Sequence, residues 1–581
     1  MLLEVLLNLI LEKSNGNRGF IFSVNGPPGT GKTTLLKDVF ANIIYEKVKF
    51  LSETKDIFTK IQYGEGQEDY YYSIHQDLKN YRILVTSNNN TAVENISKDL
   101  PKDKSLFKEG YRFFGFNEKE KSWGKISAAM GKRDNITAYF QTAEQELSDL
   151  CHRNSHTTHS IDTLEKQIIK MISNVVVNHQ TDDIDDEAWQ TSQEQFVNID
   201  GEEPKDRMSC ERSMLFAATI DTYCSFLTEH KEFIEQNIKA AQTYFLEGKV
   251  LGQEKDSFIQ AMFDTVFLLT PIISSTFASV PRFLKDLNSE DIGWLFIDEA
   301  GQATPQSAIG AIWRSKNVVV VGDPLQIPPV VTLGDNQLKL LAKESVGITE
   351  EDDFFYYLTR NVVSVQEFAD LNNRYGGEME DTKNNKKWLG SPLRVHRRCV
   401  SPMFEICNET TYQNKMLHKT EADELVEHSI YLSQWIDIGG KSAGAGNHYI
   451  REQGQKAMEI AKTFCLNNPG EKCYIISPFV SVVNSLRLSR PKEEEYKHID
   501  IGTVHTFQGK EAPLVIFVLG VDDQTNGPLK WASSTPNLLN VAASRAKSYF
   551  VVIGNSKSWG NLEYFNVAHN YLSKEAVVEL K

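Results

Sequence analysis

The sequence predicts an α/β protein with two units of parallel sheet, one toward each end of the chain, and a helical insertion in the first. Three observations predict it. Short apolar runs rich in β-branched residues recur, each followed by a polar or glycine-bearing turn. Helical patterns separate these runs, as they do where parallel strands are buried on both faces. Between Pro101 and about Thr270 the texture changes to long polar helices. At 581 residues the chain has room for three or four structural units of roughly 150 residues each.

The N-terminal MLLEVLLNLILEK is apolar but carries Glu4 and Asn8. It lacks a basic flank and a small-residue cleavage site, so it reads as an amphipathic helix of a cytoplasmic protein. Nowhere does an apolar stretch approach the ~20 residues a bilayer requires. The strands of the first unit are expected at FIFSV (Phe20 to Val24), ILV (Ile83 to Val85), LFI (Leu295 to Ile297) and VVVV (Val318 to Val321). Those of the second are expected at YII (Tyr474 to Ile476), LVIFVL (Leu514 to Leu519) and FVVI (Phe550 to Ile553). The first unit is then 1–100 and 271–375, interrupted by an insertion over 101–270. A polar loop, GGEMEDTKNNKK (Gly376 to Lys387), joins it to the second unit, 388–581.

Within the insertion Ile161, Leu164, Ile168 and Ile172 form an apolar stripe at spacings of three and four. The stripe fits a helical hairpin or stalk, with Glu211 to about Leu246 as an antiparallel partner, and equally a helix packed on its own domain. Thr181 to Asp206 sets ten carboxylates against one lysine, Lys205, and reads as a solvated loop because like charges repel. The net charge of -16 excludes a simple basic nucleic-acid glue, so a polyanion must be gripped locally. Seven cysteines contain no CxxC pair, which leaves zinc and iron-sulfur sites without their usual spacing.

The chemistry concentrates at strand ends. GPPGTGKT (Gly26, Pro27, Pro28, Gly29, Thr30, Gly31, Lys32, Thr33) follows FIFSV and precedes a helix, the setting of a phosphate-binding P-loop. Glycines let successive backbone N–H groups turn toward phosphate oxygens, Lys32 neutralises the β and γ phosphates, and the Thr33 hydroxyl holds magnesium. Beyond LFI, Asp298 can reach the metal while Glu299 orients and deprotonates an attacking water, so ATP hydrolysis is expected. Beyond VVVV, Gly322, Asp323 and Gln326 lie where open α/β sheets bind ligands, and Gln326 is a candidate γ-phosphate sensor.

The ordered motifs GPPGTGKT, DEAGQ, GDPLQIPP, TVHTFQGKE (Thr503 to Glu511) and NLLNVAASRAK (Asn537 to Lys547) together resemble superfamily 1 helicases, specifically the branch of the nonsense-mediated-decay helicase. The resemblance implies two RecA-like domains face to face with ATP and Mg2+ in their cleft. It places Thr34 and Gln302 among the nucleotide contacts and Glu511 at the ribose. It makes Arg398 one candidate arginine finger and Arg545 the other, both of the kind that stabilises charge spreading over the γ phosphate. Arg397 stands where relatives have a tyrosine that stacks on adenine. Asn89 and Asn90, Ser275 and Thr276, and Thr503 and His505 stand where relatives contact the strand. No counterpart of the glutamine-bearing segment that reads adenine precedes the P-loop, and Val482 stands where relatives often place glutamine.

The function expected from this resemblance is an ATP-driven translocase on single-stranded DNA or RNA, moving 5' to 3'. The alternative is a nucleic-acid-gated ATPase switch that recruits a nuclease or other protein partner without unwinding. The insertion interrupts no ATP motif, so it is expected to be dispensable for nucleotide binding unless it packs into the first core.

Overall fold

The computed structural model describes residues 18–88, 126–151, 202–331, 333–352, 363–380, 386–420, 433–444, 446–491, 496–523 and 525–575, with positions 10, 161, 355, 359 and 360 besides. They form two compact units. The first comprises Met1–Val24, Thr33–Gly322 and Val330–Ser391, and the second Asn25–Lys32, Asp323–Pro329 and Pro392–Lys581.

In the first unit the strands are β1 (Phe20–Asn25), β2 (Phe58–Gln62), β3 (Tyr70–Ile74), β4 (Ile83–Ser87), β5 (Ser127–Ala129), β6 (Ile272–Thr276), β7 (Ile292–Ile297), β8 (Ser315–Gly322), β9 (Gly376–Glu380) and β10 (Lys386–Gly390). Its main helices are α1 (Lys32–Glu53), α2 (Arg133–Cys151), α3 (Glu202–Glu229), α4 (Lys231–Glu247), α5 (Lys255–Leu269), α6 (Pro305–Trp313) and α7 (Val365–Asp370). The main sheet runs β1-β8-β7-β4-β6-β5, with parallel pairing from β8 through β7, β4 and β6 to β5. Every residue of β4 and β7 is buried, which is why these strands read as unbroken apolar runs rather than alternating ones. Helix α1 buries Leu35, Leu36, Val39, Phe40, Ile43, Ile44, Val48 and Leu51, spaced as one helical face. Phe40 meets Phe296 of β7 edge to face at 4.7 Å.

The described part of the insertion belongs to this core. β5, from a stretch expected to be helical, adds an edge strand beside β6. Its three residues carry no strand signal long enough to read. Tyr139 and Phe140 of α2, Ala240, Ala241 and Tyr244 of α4, and Phe258, Met262, Phe263 and Val266 of α5 pack in one cluster with Leu84, Ala128, Ile273, Leu295 and Val318 of the sheet. The stretch from Glu211 to Leu246 is not one helix but parts of two, α3 and α4, which meet at His230. Glu202–Asp206, expected in a loop, begin helix α3, while 181–201, Leu164, Ile168 and Ile172 lie outside the described residues. Two buried cations tie these helices to the rest of the first unit. Lys47 of α1 donates to the Tyr223 hydroxyl at 3.0 Å and to the Phe267 carbonyl at 2.7 Å. Arg82 pairs with Asp264 of α5 at 2.7 Å.

The polar stretch expected to join the units is a hairpin in its described parts. β9 and β10 pair antiparallel from Gly376↔Gly390 to Glu380↔Lys386. A two-stranded ribbon with polar exposed positions offers no apolar alternation, so turn-like composition hid it.

The second unit is a parallel sheet of β13 (Gln434–Asp437), β14 (Cys473–Ser477), β15 (Ile499–Thr503), β16 (Ala512–Val518) and β17 (Ala546–Gly554), ordered β13-β17-β16-β14-β15, preceded by the short pair β11 (Val395–His396) and β12 (Leu417–His418). Helices α8 (Met403–Thr410), α9 (Arg451–Asn467), α10 (Val480–Ser489), α11 (Asn537–Ser544) and α12 (Phe565–Glu575) accompany it. β16 is buried throughout. Two loops that leave strands of the first unit, 25–32 and 323–329, group with this unit, and Ile327 enters its hydrophobic core.

Candidate nucleotide site

In the first sheet the carboxyl ends of β1, β8 and β7, three neighbouring strands, carry the P-loop, GDPLQ and DEAGQ. After β7, the Asp298 N–H donates to the Thr86 carbonyl at 2.9 Å, which continues the sheet one residue further. Glu299 then turns into the left-handed region, φ 52° and ψ 40°. That conformation costs a non-glycine residue roughly 1–2 kcal/mol and persists where neighbours over-determine it. Here the Gln302 amide donates to the Glu299 carboxylate at 3.1 Å, and Asn88 donates to the Gln302 carbonyl at 3.2 Å. Gln302, expected to touch nucleotide, is thus also bonded to Glu299. Gly322 closes the turn, since a Cβ there would stand 2.8 Å from the backbone nitrogens of Ala300 and Gly301.

Thr33 and Thr34 are exposed at the start of α1. Ser275 is buried in β6, and the Thr276 hydroxyl donates to Ser279 Oγ at 3.1 Å. Asn89 and Asn90 lie outside the described residues.

Residues 26–32 of the P-loop group with the second unit. Gly29 and Gly31 take φ of 72° and 88°, values open to glycine at little cost. A Cβ on Gly29 would also stand 2.5 Å from Arg398 Cβ. Thr30 Oγ1 donates to the Pro27 carbonyl at 2.7 Å. The Lys32 ammonium donates to the carbonyls of Gly26 and Pro27 across the loop. Arg397 is exposed, and its N–H donates to the Gly29 carbonyl at 2.9 Å. His396 Nε2 accepts from the Cys399 N–H at 2.7 Å, which puts the ring proton on Nδ1. Burial, with Arg398 close by, brings the imidazole down to about 3, so it is neutral.

Asp323 and Gln326 also lie in this unit. The Asp323 carboxylate accepts from the Leu325 N–H at 2.9 Å, from the Gln326 amide at 2.9 Å and from the Tyr412 hydroxyl at 2.6 Å. Burial pushes its pKa up, and Lys32 and these donors oppose the shift. Asn540 Nδ2 donates to the Tyr412 oxygen at 3.0 Å, and the Asn537 amide donates to the Gln326 carbonyl.

The two candidate fingers differ. Arg398 Nε pairs with Glu511 Oε2 at 2.7 Å. Burial raises the Glu511 carboxyl, but Arg398, Lys547 and Arg545 outweigh it and hold the group below its ordinary value. Arg545 is only 2% exposed. Its guanidinium donates to the carbonyls of Val541 and Lys510, both at 3.2 Å, and to Ser544 Oγ at 3.0 Å. Thr503 and Thr506 share a hydroxyl contact at 3.1 Å, and His505 is exposed beside them. Sequence reasoning missed His396, Tyr412, Asn540 and Lys547. Only the last two had a signal, lying inside NLLNVAASRAK.

Among the described residues no trio of His, Cys, Asp or Glu could hold a metal ion by itself. No helix among them is long and apolar enough to cross a membrane.

Residues 7–333 match a family described as an AAA domain, and residues 378–557 match a second AAA-domain family. The DNA replication ATP-dependent helicase/nuclease DNA2 of Saccharomyces cerevisiae is 20% identical over 325 residues, 50% of this chain and 19% of its own length. The uncharacterized ATP-dependent helicase MJ0104 of Methanocaldococcus jannaschii is 25% identical over 290 residues, 45% of this chain and 36% of its own length. Helicase SEN1 of Saccharomyces cerevisiae is 24% identical over 557 residues, 92% of this chain and 22% of its own length. The chain therefore spans between about a fifth and two fifths of the length of these relatives. With the first match covering more than half of it, the chain belongs to the AAA-domain family, as a two-domain P-loop NTPase of the general superfamily that includes these helicases.

Proposed function

We propose that the protein is an ATP-driven translocase or helicase on single-stranded DNA or RNA, of the superfamily 1B type and moving 5' to 3'. The observation that carries this reading is the delivery of GPPGTGKT, GDPLQ and DEAGQ to the ends of three neighbouring strands, β1, β8 and β7. The names of the relatives, helicases among them, support it.

In this reading the backbone N–H groups of Gly29 to Thr33 and the Lys32 ammonium hold the ATP phosphates, and Thr33 and Asp298 hold magnesium. Magnesium, when bound, neutralises charge on the phosphate oxygens. Glu299, oriented by Gln302, takes the proton of the attacking water. Arg398 and Arg545 answer the charge that develops on the γ phosphate, Gln326 senses that phosphate, and Glu511 and Arg397 meet the ribose and adenine. Asn89, Asn90, Ser275, Thr276, Thr503 and His505 grip the strand. A second reading, an ATPase switch that recruits an effector, draws support from the net charge of -16.

Strand displacement from duplexes with a 5' or a 3' single-stranded tail tests the proposal. Displacement from the 5'-tailed substrate is expected. ATP-dependent displacement from only the 3'-tailed substrate refutes the polarity, and strand-stimulated ATPase without displacement favours the switch.

A further inference from the structure

The loop that carries Gln326 is anchored by a chain of buried hydrogen bonds whose members come from three places in the sequence. Asp323 is 4% exposed and Tyr412 3% exposed, and Asn540 is fully buried in α11. Asn540 Nδ2 can only donate, so the Tyr412 oxygen accepts from it at 3.0 Å. The single Tyr412 proton is then directed at Asp323 Oδ2, 2.6 Å away. The same carboxylate oxygen accepts from Gln326 Nε2 at 2.9 Å. This fixes which end of the Gln326 amide is nitrogen, and its carbonyl oxygen has no donor among the described residues. The Asn537 amide holds the Gln326 backbone carbonyl from one turn earlier on α11.

We propose that Tyr412 is a positioning residue for ATP hydrolysis: by holding Asp323 it locks the Gln326 side chain in the one orientation that offers its carbonyl oxygen to the water at the γ phosphate, with Asn540 setting the direction of the Tyr412 proton. The proposal rests on the reading of Gln326 as the γ-phosphate sensor. Tyr412→Phe removes one of the three donors that fix the Asp323 carboxylate, which can then turn and carry the Gln326 amide bonded to it out of its orientation.

The test is steady-state ATPase of the full chain carrying Tyr412→Phe, Gln326→Ala or both, with thermal melting of each variant. Tyr412→Phe keeps the ring in the core. It is expected to lower kcat about 5- to 20-fold at nearly constant KM for ATP, and the double variant is expected to match Gln326→Ala alone. Asn540→Ala, which retains Tyr412 and Asp323, is expected to lower kcat about 2- to 5-fold. It provides the readout if Tyr412→Phe does not fold. A purely structural role predicts a lower melting temperature with parental kcat measured well below it. Reduced kcat in Gln326→Ala with parental kcat in both Tyr412→Phe and Asn540→Ala overturns the positioning role alone. So does an equal fold-loss from Tyr412→Phe in both backgrounds. Parental kcat in Gln326→Ala overturns the sensor reading and the positioning role with it.

Discussion

Arg398 Nε lies 2.7 Å from Glu511 Oε2, so the residue expected to reach the γ phosphate is tied to the one expected to hold the ribose. Arg545, the other candidate, is bonded to carbonyls of its own surroundings. The two arginines therefore respond differently to removal.

Arg398→Ala is expected to lower kcat by ~10- to ~1000-fold with little change in ATP affinity, because a finger acts on charge that develops during transfer. A raised KM with parental kcat refutes that role. Arg545→Ala is expected to lose about 2–4 kcal/mol of stability besides, since a buried carbonyl, a part-buried one and a hydroxyl lose their donor. Urea denaturation of both variants measures the difference.

Lys32→Ala is expected to abolish nucleotide binding, whereas Glu299→Gln should bind ATP and lose turnover, because only the first removes a contact made before chemistry. Binding of a fluorescent ATP analogue, set beside hydrolysis rates, checks both. Parental turnover in Glu299→Gln removes Glu299 from water activation.

His396 is held neutral down to about pH 3 by its burial and by Arg398. The unfolded chain binds a proton at this position below about pH 6.5 and the folded chain does not, so stability is lost as pH falls from 6.5 toward 3. The loss is about 1.4 kcal/mol per pH unit through that window. His396→Gln is expected to lose less stability than the parent between pH 6.5 and pH 4 in denaturant titrations. Identical pH slopes contradict a buried neutral imidazole.

The strands legible in the sequence were those buried on both faces, such as Leu295–Ile297 and Val318–Val321, because burial itself selects their apolar runs. The P-loop and the Asp298–Glu299 pair were legible because phosphate and metal chemistry demand fixed residue types at fixed spacing. β5 and the β9–β10 ribbon were not, since three residues or a polar two-stranded ribbon carry no periodicity. Tyr412 was hidden for another reason. It meets Asp323 89 residues earlier and Asn540 128 residues later, and no local pattern encodes such contacts.

The insertion shares its core with Leu84, Ile273 and Leu295 through α2, α4 and α5. Replacing 133–247 with a glycine-serine bridge is therefore expected to expose apolar surface and give aggregated protein without ATP binding. A soluble monomer that binds ATP as the full chain does contradicts the shared core.

Strand binding is expected to drive the ATPase, although the chain carries a net charge of -16. The most direct measurement is the steady-state ATPase rate of the full chain with poly-dT, with RNA and with no strand, over a range of salt. Stimulation by single strands that fades as salt rises is expected, because phosphate contacts release counterions whatever the sequence. Rates that stay flat across poly-dT, RNA and no strand would contradict it.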